Sequence, residues 1–166
     1  MPIRVDSRTL IAWLWWFVGA VLGPAFIVFT AWRLGREARP LTETELAMLT
    51  PYFAGPLLAR VRVAELPRIA LTPVRAINRR LMSPAGLTLG PLVVLRDDLR
   101  GARRDRVLFH EVVHVRQYRR FGLRGFAARY LAGWAHGGYR YRGIPLEREA
   151  HEEDAAFAAR RAGGHD

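Results

Sequence analysis

The 166-residue sequence contains no cysteine. Disulfide bonds, thiolate metal ligands and a cysteine nucleophile are therefore excluded, and any metal must be held by histidine, aspartate or glutamate. Lysine is absent too, so all 26 basic residues are arginines, against 15 acidic residues and a formal net charge of +11. Because no recognition helix or ladder of aromatic and basic residues accompanies this charge, we predict a surface suited to anionic lipid rather than to nucleic acid.

Charged residues are also missing from a long apolar run at 10–32. About 20 apolar residues suffice for a helix to cross the hydrocarbon core of a bilayer, so we predict one transmembrane helix after an N-terminal tail at 1–9. Tryptophans near both ends are typical of interfacial anchors: Trp13, Trp15, Trp16 and Trp32. A cleaved signal peptide fits less well, because the run is too long and lacks a small-residue cleavage site. The remaining alternative is a buried hairpin of two short helices broken at Gly23-Pro24.

The arginines that flank this run bear on its orientation. Arg4 and Arg8 precede the run, whereas Arg33, Arg36 and Arg39 follow it. Since cytoplasmic flanks carry the excess of positive residues, the sequence favours a single-pass protein whose folded part lies on the cytoplasmic side.

The rest of the chain predicts a linker, a small α+β domain and a tail. The linker at 33–56 includes a short helix, because Thr42 followed by Glu45 forms a capping-box pattern. The domain is predicted at 57–162, and the last residues, 163–166, are predicted to form a short tail.

Strand patterns occupy the first half of this domain. Alternation at 60–66 predicts one strand, and two apolar runs at 86–89 and 92–95 predict a hairpin or a bent strand pair. The stretch at 67–84 is loop-like. Such a hairpin could hold an extended substrate by strand addition, or the sheet could be purely structural.

The stretch with the clearest chemical signal is His110-Glu111-Val112-Val113-His114. It lies in a predicted helix that ends at Phe121, with Gly122 as its stop. Two histidines four residues apart share one helix face and can reach one ion, and the intervening glutamate can take a proton from water that the ion activates. The helix is apolar on nearly all other sides and is predicted to be buried, so a cation is needed to satisfy these polar side chains.

Two histidines leave a catalytic zinc ion short of one protein ligand. Four candidates follow the motif: His136, Glu147, Glu149 and His151. On the last predicted helix, which begins at Pro145, Glu147 lies at the edge of the apolar face and is the predicted third ligand. His151 is an alternate ligand or a supporting residue, and Asp154 lies close by. The loop histidine and the second glutamate are predicted to be ordinary polar residues.

These motifs resemble a known class of enzymes. The H-E-x-x-H helix, followed by a glutamate in the E-x-x-A context of 147–150, is similar to gluzincin metallopeptidases. Together with Gly86-Leu87-Thr88-Leu89-Gly90, the H-E-x-x-H-x-x-Q run at 110–117 more closely resembles a zincin-like bacterial domain of unknown function. That domain is associated with contractile injection systems and polymorphic toxins. The resemblance covers about residues 57 to 160.

The resemblance implies a minimal zincin-like fold, in which a small antiparallel sheet packs on the central H-E-x-x-H helix and two further helices. Because that domain is bacterial, we expect the predicted transmembrane helix at 10–32, which lies outside the resemblance, to cross a bacterial inner membrane. Carried over, the Zn²⁺ ligands are His110, His114 and Glu147, Glu111 is the general base, and Gln117 is a supporting residue.

The sequence therefore predicts a membrane-anchored zinc hydrolase, most consistent with a metallopeptidase acting on a peptide or protein. The transition state needs a donor for the developing oxyanion. Tyr141 is the preferred candidate, and Tyr139 and His136 are the alternatives. The competing hypothesis is a catalytically inactive zincin fold that serves as a membrane-anchored binding module.

Overall fold

The computed structural model describes residues 7–66 and 85–163. The predicted loop at 67–84 and most of both predicted tails lie outside these residues. The helices are α1 (Ser7–Leu34), α2 (Glu43–Leu49), α3 (Gly55–Leu58), α4 (Gly101–His136) and α5 (Pro145–Gly163). The strands are β1 (Arg39–Pro40), β2 (Arg62–Leu66), β3 (Gly86–Leu89) and β4 (Leu92–Arg96), and short 3₁₀ turns occupy Gly35–Glu37 and Tyr141–Gly143.

The four strands form one mixed sheet in the order β1-β2-β4-β3. The predicted hairpin is present, since β3 and β4 pair antiparallel across a two-residue turn at Gly90-Pro91. However, the prediction of an antiparallel sheet was wrong, because β2 runs parallel to β4. A hairpin is a local feature that turn residues specify, whereas the direction of a pairing between distant strands leaves no such local pattern. The predicted linker also supplies β1, which pairs antiparallel with β2.

Helix α1 is continuous through Pro24, so the alternative of a broken helical hairpin does not hold. It is long and apolar enough to cross a membrane. One side of α1 packs on the last part of α4: a Cβ atom added at Gly19 would lie 2.5 Å from the carbonyl oxygen of Ala127, and Gly23 faces the same residue. Glycines four residues apart allow helices to approach this closely. Helix α1 is therefore packed against the rest of the fold along part of its length.

Helix α4 is divided by Gly122, whose backbone is non-helical at φ 67° and ψ 171°. This conformation is open essentially only to glycine, which explains why the periodic pattern of the first segment (101–121) ends where predicted. In the first segment every residue from 108 to 115 is buried, as expected for a central helix. The second segment (123–136) packs along α1.

The main core lies between the sheet and the helices α2, α4 and α5. Leu49, Val93 and Val112 are fully enclosed in it. The predicted capping box is present, since Thr42 and Glu45 exchange hydrogen bonds at the start of α2. The packing of these elements holds the first segment of α4 in a fixed position relative to α5, which is what the site requires.

Candidate metal centre

Three side-chain atoms from two helices converge at one point beneath the sheet. The Nε2 atoms of His110 and His114 are 3.2 Å apart, and each lies 3.3 Å from Oε2 of Glu147. All three side chains are buried, with 3–7 % of their surface exposed. The histidines come from successive turns of α4 and the glutamate from the first turn of α5, so the docking of α5 on α4 assembles the group.

The spacing of these atoms fits a tetrahedral metal ion. Ligand atoms about 2.0–2.1 Å from a tetrahedral zinc ion lie roughly 3.3–3.4 Å from one another. Neighbouring ligands of an octahedral magnesium ion would lie closer, at roughly 2.9 Å. Two imidazole nitrogens and one carboxylate oxygen are also the donor set of many catalytic zinc sites, which leave a fourth position open.

Each imidazole is oriented by a hydrogen bond at its other nitrogen. Nδ1 of His110 donates to Asp154 over 2.9 Å, and Nδ1 of His114 donates to the side-chain oxygen of Gln117 over 2.8 Å. Asp154 is itself held by Arg106 at 2.6 Å. With the protons at Nδ1, both Nε2 lone pairs point to the shared centre, which is the arrangement that metal-binding histidines need.

Two tyrosines support the predicted third ligand. The hydroxyl of Tyr130 donates to Oε1 of Glu147 over 2.8 Å, and the hydroxyl of Tyr141 donates to Oε2. Tyr141, the preferred oxyanion donor of the sequence analysis, thus lies at the centre. Tyr130 shares helical spacing with Phe126, Ala127 and Trp134, a pattern that predicts an ordinary core residue. Its helical spacing is that of the apolar stripe, so no signal in the sequence distinguishes its role.

Gln117 links the two helices that carry the ligands. Besides accepting from His114, its amide nitrogen donates to the backbone oxygen of Leu146 and to Glu149, both over 3.0 Å. The prediction that Glu149 is simply a solvated carboxylate was therefore incomplete, since its side chain is 38 % exposed and contacts Gln117.

Glu111, the predicted base, is buried against β3. The hydroxyl of Thr88 donates to its carboxylate over 2.7 Å. A Cβ atom at Gly86 would lie only 2.6 Å from Oε1 of Glu111, so the glycine makes room for this carboxylate. Burial raises the pKa of Glu111, and the nearby imidazoles of His114 and His110 offset only part of that shift. Neither Thr88 nor Gly86 was singled out individually from the sequence.

The electrostatics of the centre favour positive charge. Burial alone lowers the pKa of His110, but hydrogen bonds to Asp154 and Glu147 outweigh it and raise that pKa to about 10. Burial alone raises the pKa of Glu147, yet the two imidazoles hold it well below its usual range. Without metal the centre therefore retains protons, which a bound cation would displace.

The remaining predicted residues lie around this centre. His151 is exposed, with Nδ1 3.3 Å from Asp154 and its ring 4.6 Å from that of His110. His110, His151 and Asp154 could also surround an ion, but Nδ1 of His110 already donates to Asp154 there. Tyr139 and His136 are exposed, and the Tyr139 ring contacts Trp134.

The centre opens into a cavity of about 340 Å³, a size typical of ligand sites. Glu111, His114, Tyr141 and Glu147 line its polar end. Strand β3, helix α1 and the second segment of α4 form its other walls, which are mostly apolar.

Comparison of the chain with protein-family models, with curated proteins and with solved structures finds no match. The chemistry of the centre is therefore inferred from its own residues and geometry.

Proposed function

We propose that the protein is a membrane-anchored, zinc-dependent hydrolase, and more specifically a zincin-like metallopeptidase. The observation that carries this proposal is the convergence of His110, His114 and Glu147 on one buried point at tetrahedral spacing. A buried carboxylate next to that point, Glu111, adds the group that distinguishes a hydrolytic site from a purely structural metal site.

His110, His114 and Glu147 would hold the ion. A bound zinc ion supplies Lewis acidity, which polarises a carbonyl group and lowers the pKa of water. Glu111 accepts the proton of the attacking water and then delivers it to the leaving amine, and its raised pKa suits both steps. Tyr141 lines the cavity at the same end and can donate to the oxygen on which negative charge develops.

The edge of β3 opposite β4 supports a peptide as the substrate, because no other described strand pairs with it. Leu89 and Leu92 flank a two-residue turn and form a hydrogen-bonded pair, and the pattern alternates along the hairpin. The backbone groups of Gly86 and Thr88 therefore point away from β4, toward the cavity that they line, where the Thr88 carbonyl oxygen accepts from the hydroxyl of Tyr118. An extended peptide could pair with the other groups and present its carbonyl beside Glu111.

The membrane assignment rests on α1, whose exposed side chains are mostly large and apolar. Arginines flank its C-terminal end, and there Arg36 lies over the Trp32 ring. We place α1 in the bacterial inner membrane with the folded part on the cytoplasmic side, where arginines can also contact anionic lipid.

Substitution of Glu111 tests the proposal directly. The full chain, purified in detergent and loaded with zinc, is incubated with a random peptide library, and cleavage is measured by mass spectrometry. Glu111→Gln should lower the cleavage rate by about 10²–10⁴-fold, the range that general-base catalysis contributes, while one zinc ion stays bound.

The matched control is Glu152→Gln on the exposed side of α5, which should leave both activity and zinc content unchanged. If the wild-type chain binds zinc but its peptide products equal those of Glu111→Gln, the protein is a binding module and the proposal is wrong.

A further inference from the structure

The membrane helix forms one wall of the cavity that leads to the candidate centre. Gly23, Phe26 and Ile27 of α1 line the cavity, and the apolar side chains of β3, Leu87 and Leu89, lie along it as well. A helix that only anchored the protein to a membrane would not need to line this cavity. The route to Glu111 therefore passes beside the segment that is suited to contact lipid.

The mouth of the cavity is continuous with the exposed apolar surface of α1. Phe26 lines the cavity and is also 51 % exposed, so it lies at the opening. Its neighbours on the same helix, Leu22 and Phe29, are 63 % and 60 % exposed. A ligand that leaves a lipid environment along this surface would reach the cavity without crossing a polar barrier on α1.

Two charges indicate which side of the cavity faces lipid. Arg124 and Arg129 are exposed on the second segment of α4, which forms another wall. Because charged side chains are costly in hydrocarbon, the exposed face of this segment is the side turned away from lipid. The side turned toward lipid is then the one formed by α1 and β3.

On the basis of the proposed hydrolase function, we propose that the substrate is a membrane-inserted apolar segment of another polypeptide. The segment enters from the lipid side, between α1 and β3. A polypeptide fits better than a lipid, because the backbone groups of Gly86 and the N–H of Thr88 can pair with a peptide backbone but not with an acyl chain. The carbonyl oxygen of Thr88 already accepts from the hydroxyl of Tyr118 over 3.4 Å. The apolar walls accommodate its side chains, and Glu111 and Glu147 lie at the end of the path.

A comparison of anchored and soluble substrates tests this. The full chain with zinc is reconstituted into vesicles of phosphatidylethanolamine and phosphatidylglycerol. It is offered one random peptide library in soluble form, and the same library fused to a 20-residue transmembrane segment of leucine and alanine. We expect the anchored library to be cleaved at least tenfold faster, within a few residues of the apolar segment, and Glu111→Gln to abolish this cleavage.

The outcomes separate the two proposals. Equal or faster cleavage of the soluble library overturns this inference and leaves the peptidase proposal intact. Glu111-dependent release of fatty acid or head group from the vesicles overturns it in favour of a lipid substrate. If Glu111→Gln matches the wild-type chain in every arm, the hydrolase proposal fails and this inference fails with it.

A second experiment uses the absence of cysteine, which makes any introduced thiol unique. Phe26→Cys places a thiol at the mouth, and Phe17→Cys is the matched control, since Phe17 is 62 % exposed on α1 but does not line the cavity. Alkylation with a bulky maleimide should reduce cleavage of the anchored library at least fivefold for the first variant only. Zinc content, measured in both, shows that the centre remains intact. Equal effects at both positions would place the entry route elsewhere.

Discussion

The two segments of α4 on either side of Gly122 differ in almost every respect. The first is buried on nearly all sides and supplies both histidines, Glu111 and Gln117 to the candidate centre. The second exposes Arg124 and Arg129, packs on α1 and contacts the centre through the hydroxyl of Tyr130 and the ring of Phe126, which lies edge-on to His114. Both form helices, so helix formation does not explain the difference.

This difference shows that burial fixes the orientation of the side chains that form the candidate centre. In the first segment each polar group is costly unless it has a partner, and the required partners hold the imidazoles in one orientation. The second segment connects that rigid group to α1 and forms one wall of the cavity that leads to it. Because Gly122 interrupts the helix between them, one segment can hold the candidate centre while the other packs on α1.

The largest expected effect comes from removing a ligand in the first segment. His114→Ala should lower zinc affinity at least 100-fold and reduce hydrolysis to background, because two ligands remain. His136→Ala is the matched control on the second segment, where the side chain is exposed. Zinc affinity is measured by competition with a chelator. Equal losses in both variants would show that the first segment does not hold the ion.

The contribution of the second segment is tested with Tyr130→Phe, which removes only the hydroxyl that donates to Glu147. Groups that support a metal ligand typically contribute 10–100-fold in affinity or activity, and we expect a loss in that range. Tyr139→Phe, on an exposed tyrosine, should change neither quantity. An unchanged zinc affinity in Tyr130→Phe would show that the hydroxyl of the second segment does not support metal binding.

The break in α4 between the two segments is tested with Gly122→Ala. A side chain at φ 67° and ψ 171° costs about 1–3 kcal/mol of folding free energy. Thermal unfolding in detergent should therefore show a lower Tm. Gly55→Ala is the control, because a Cβ atom there meets nothing within 4 Å and its φ is not positive. If both variants melt at the wild-type temperature, the helix can continue through position 122.

The smallest expected effect concerns Glu45, which pairs with Arg104 near the start of the first segment of α4. Burial alone raises the pKa of Glu45, but hydrogen bonds from Arg39, the Thr42 backbone and Arg104 lower it to about 2. The folded-state pKa is below the unfolded value near 4.5, so the contribution is complete above about pH 4.5 and is lost as pH falls toward 2.

Glu45→Gln should therefore lower stability by about 1–2 kcal/mol at pH 7 and less at pH 3, measured by urea denaturation in detergent. Glu43→Gln, on an exposed residue of the same helix, is its control. An equal loss at both pH values would mean that the negative charge of Glu45 is not what stabilises the start of α4.

Much of the architecture could be predicted because its signals are local. The Thr42–Glu45 capping box, the hairpin across Gly90-Pro91 and the end of the first segment at Gly122 each depend on residues a few positions apart. Sequence patterns report such short-range geometry directly. The choice of Glu147 among four candidate ligands rested on the same helical periodicity, together with the resemblance to zincins.

Other features depend on contacts between distant parts of the chain and leave no local pattern. The parallel pairing of β2 with β4, the hydroxyl of Thr88 on Glu111 and the packing of Gly19 on Ala127 are of this kind. The residues next to each of them in the sequence carry no information about which distant residue it contacts. Tyr130 both packs in the core and donates to Glu147. Its helical spacing predicts only the packing, so the second role is not visible in the sequence.

The sequence by itself determined which elements form and which residue types are available for chemistry, because periodicity, caps and the H-E-x-x-H spacing act within one or two helical turns. Only the tertiary structure decided that Glu147 meets both imidazoles, that Tyr130 supports it, and that α1 lines the path to Glu111. The reason is that these contacts arise from the docking of whole helices, which depends on the complementary shapes of surfaces far apart in the chain.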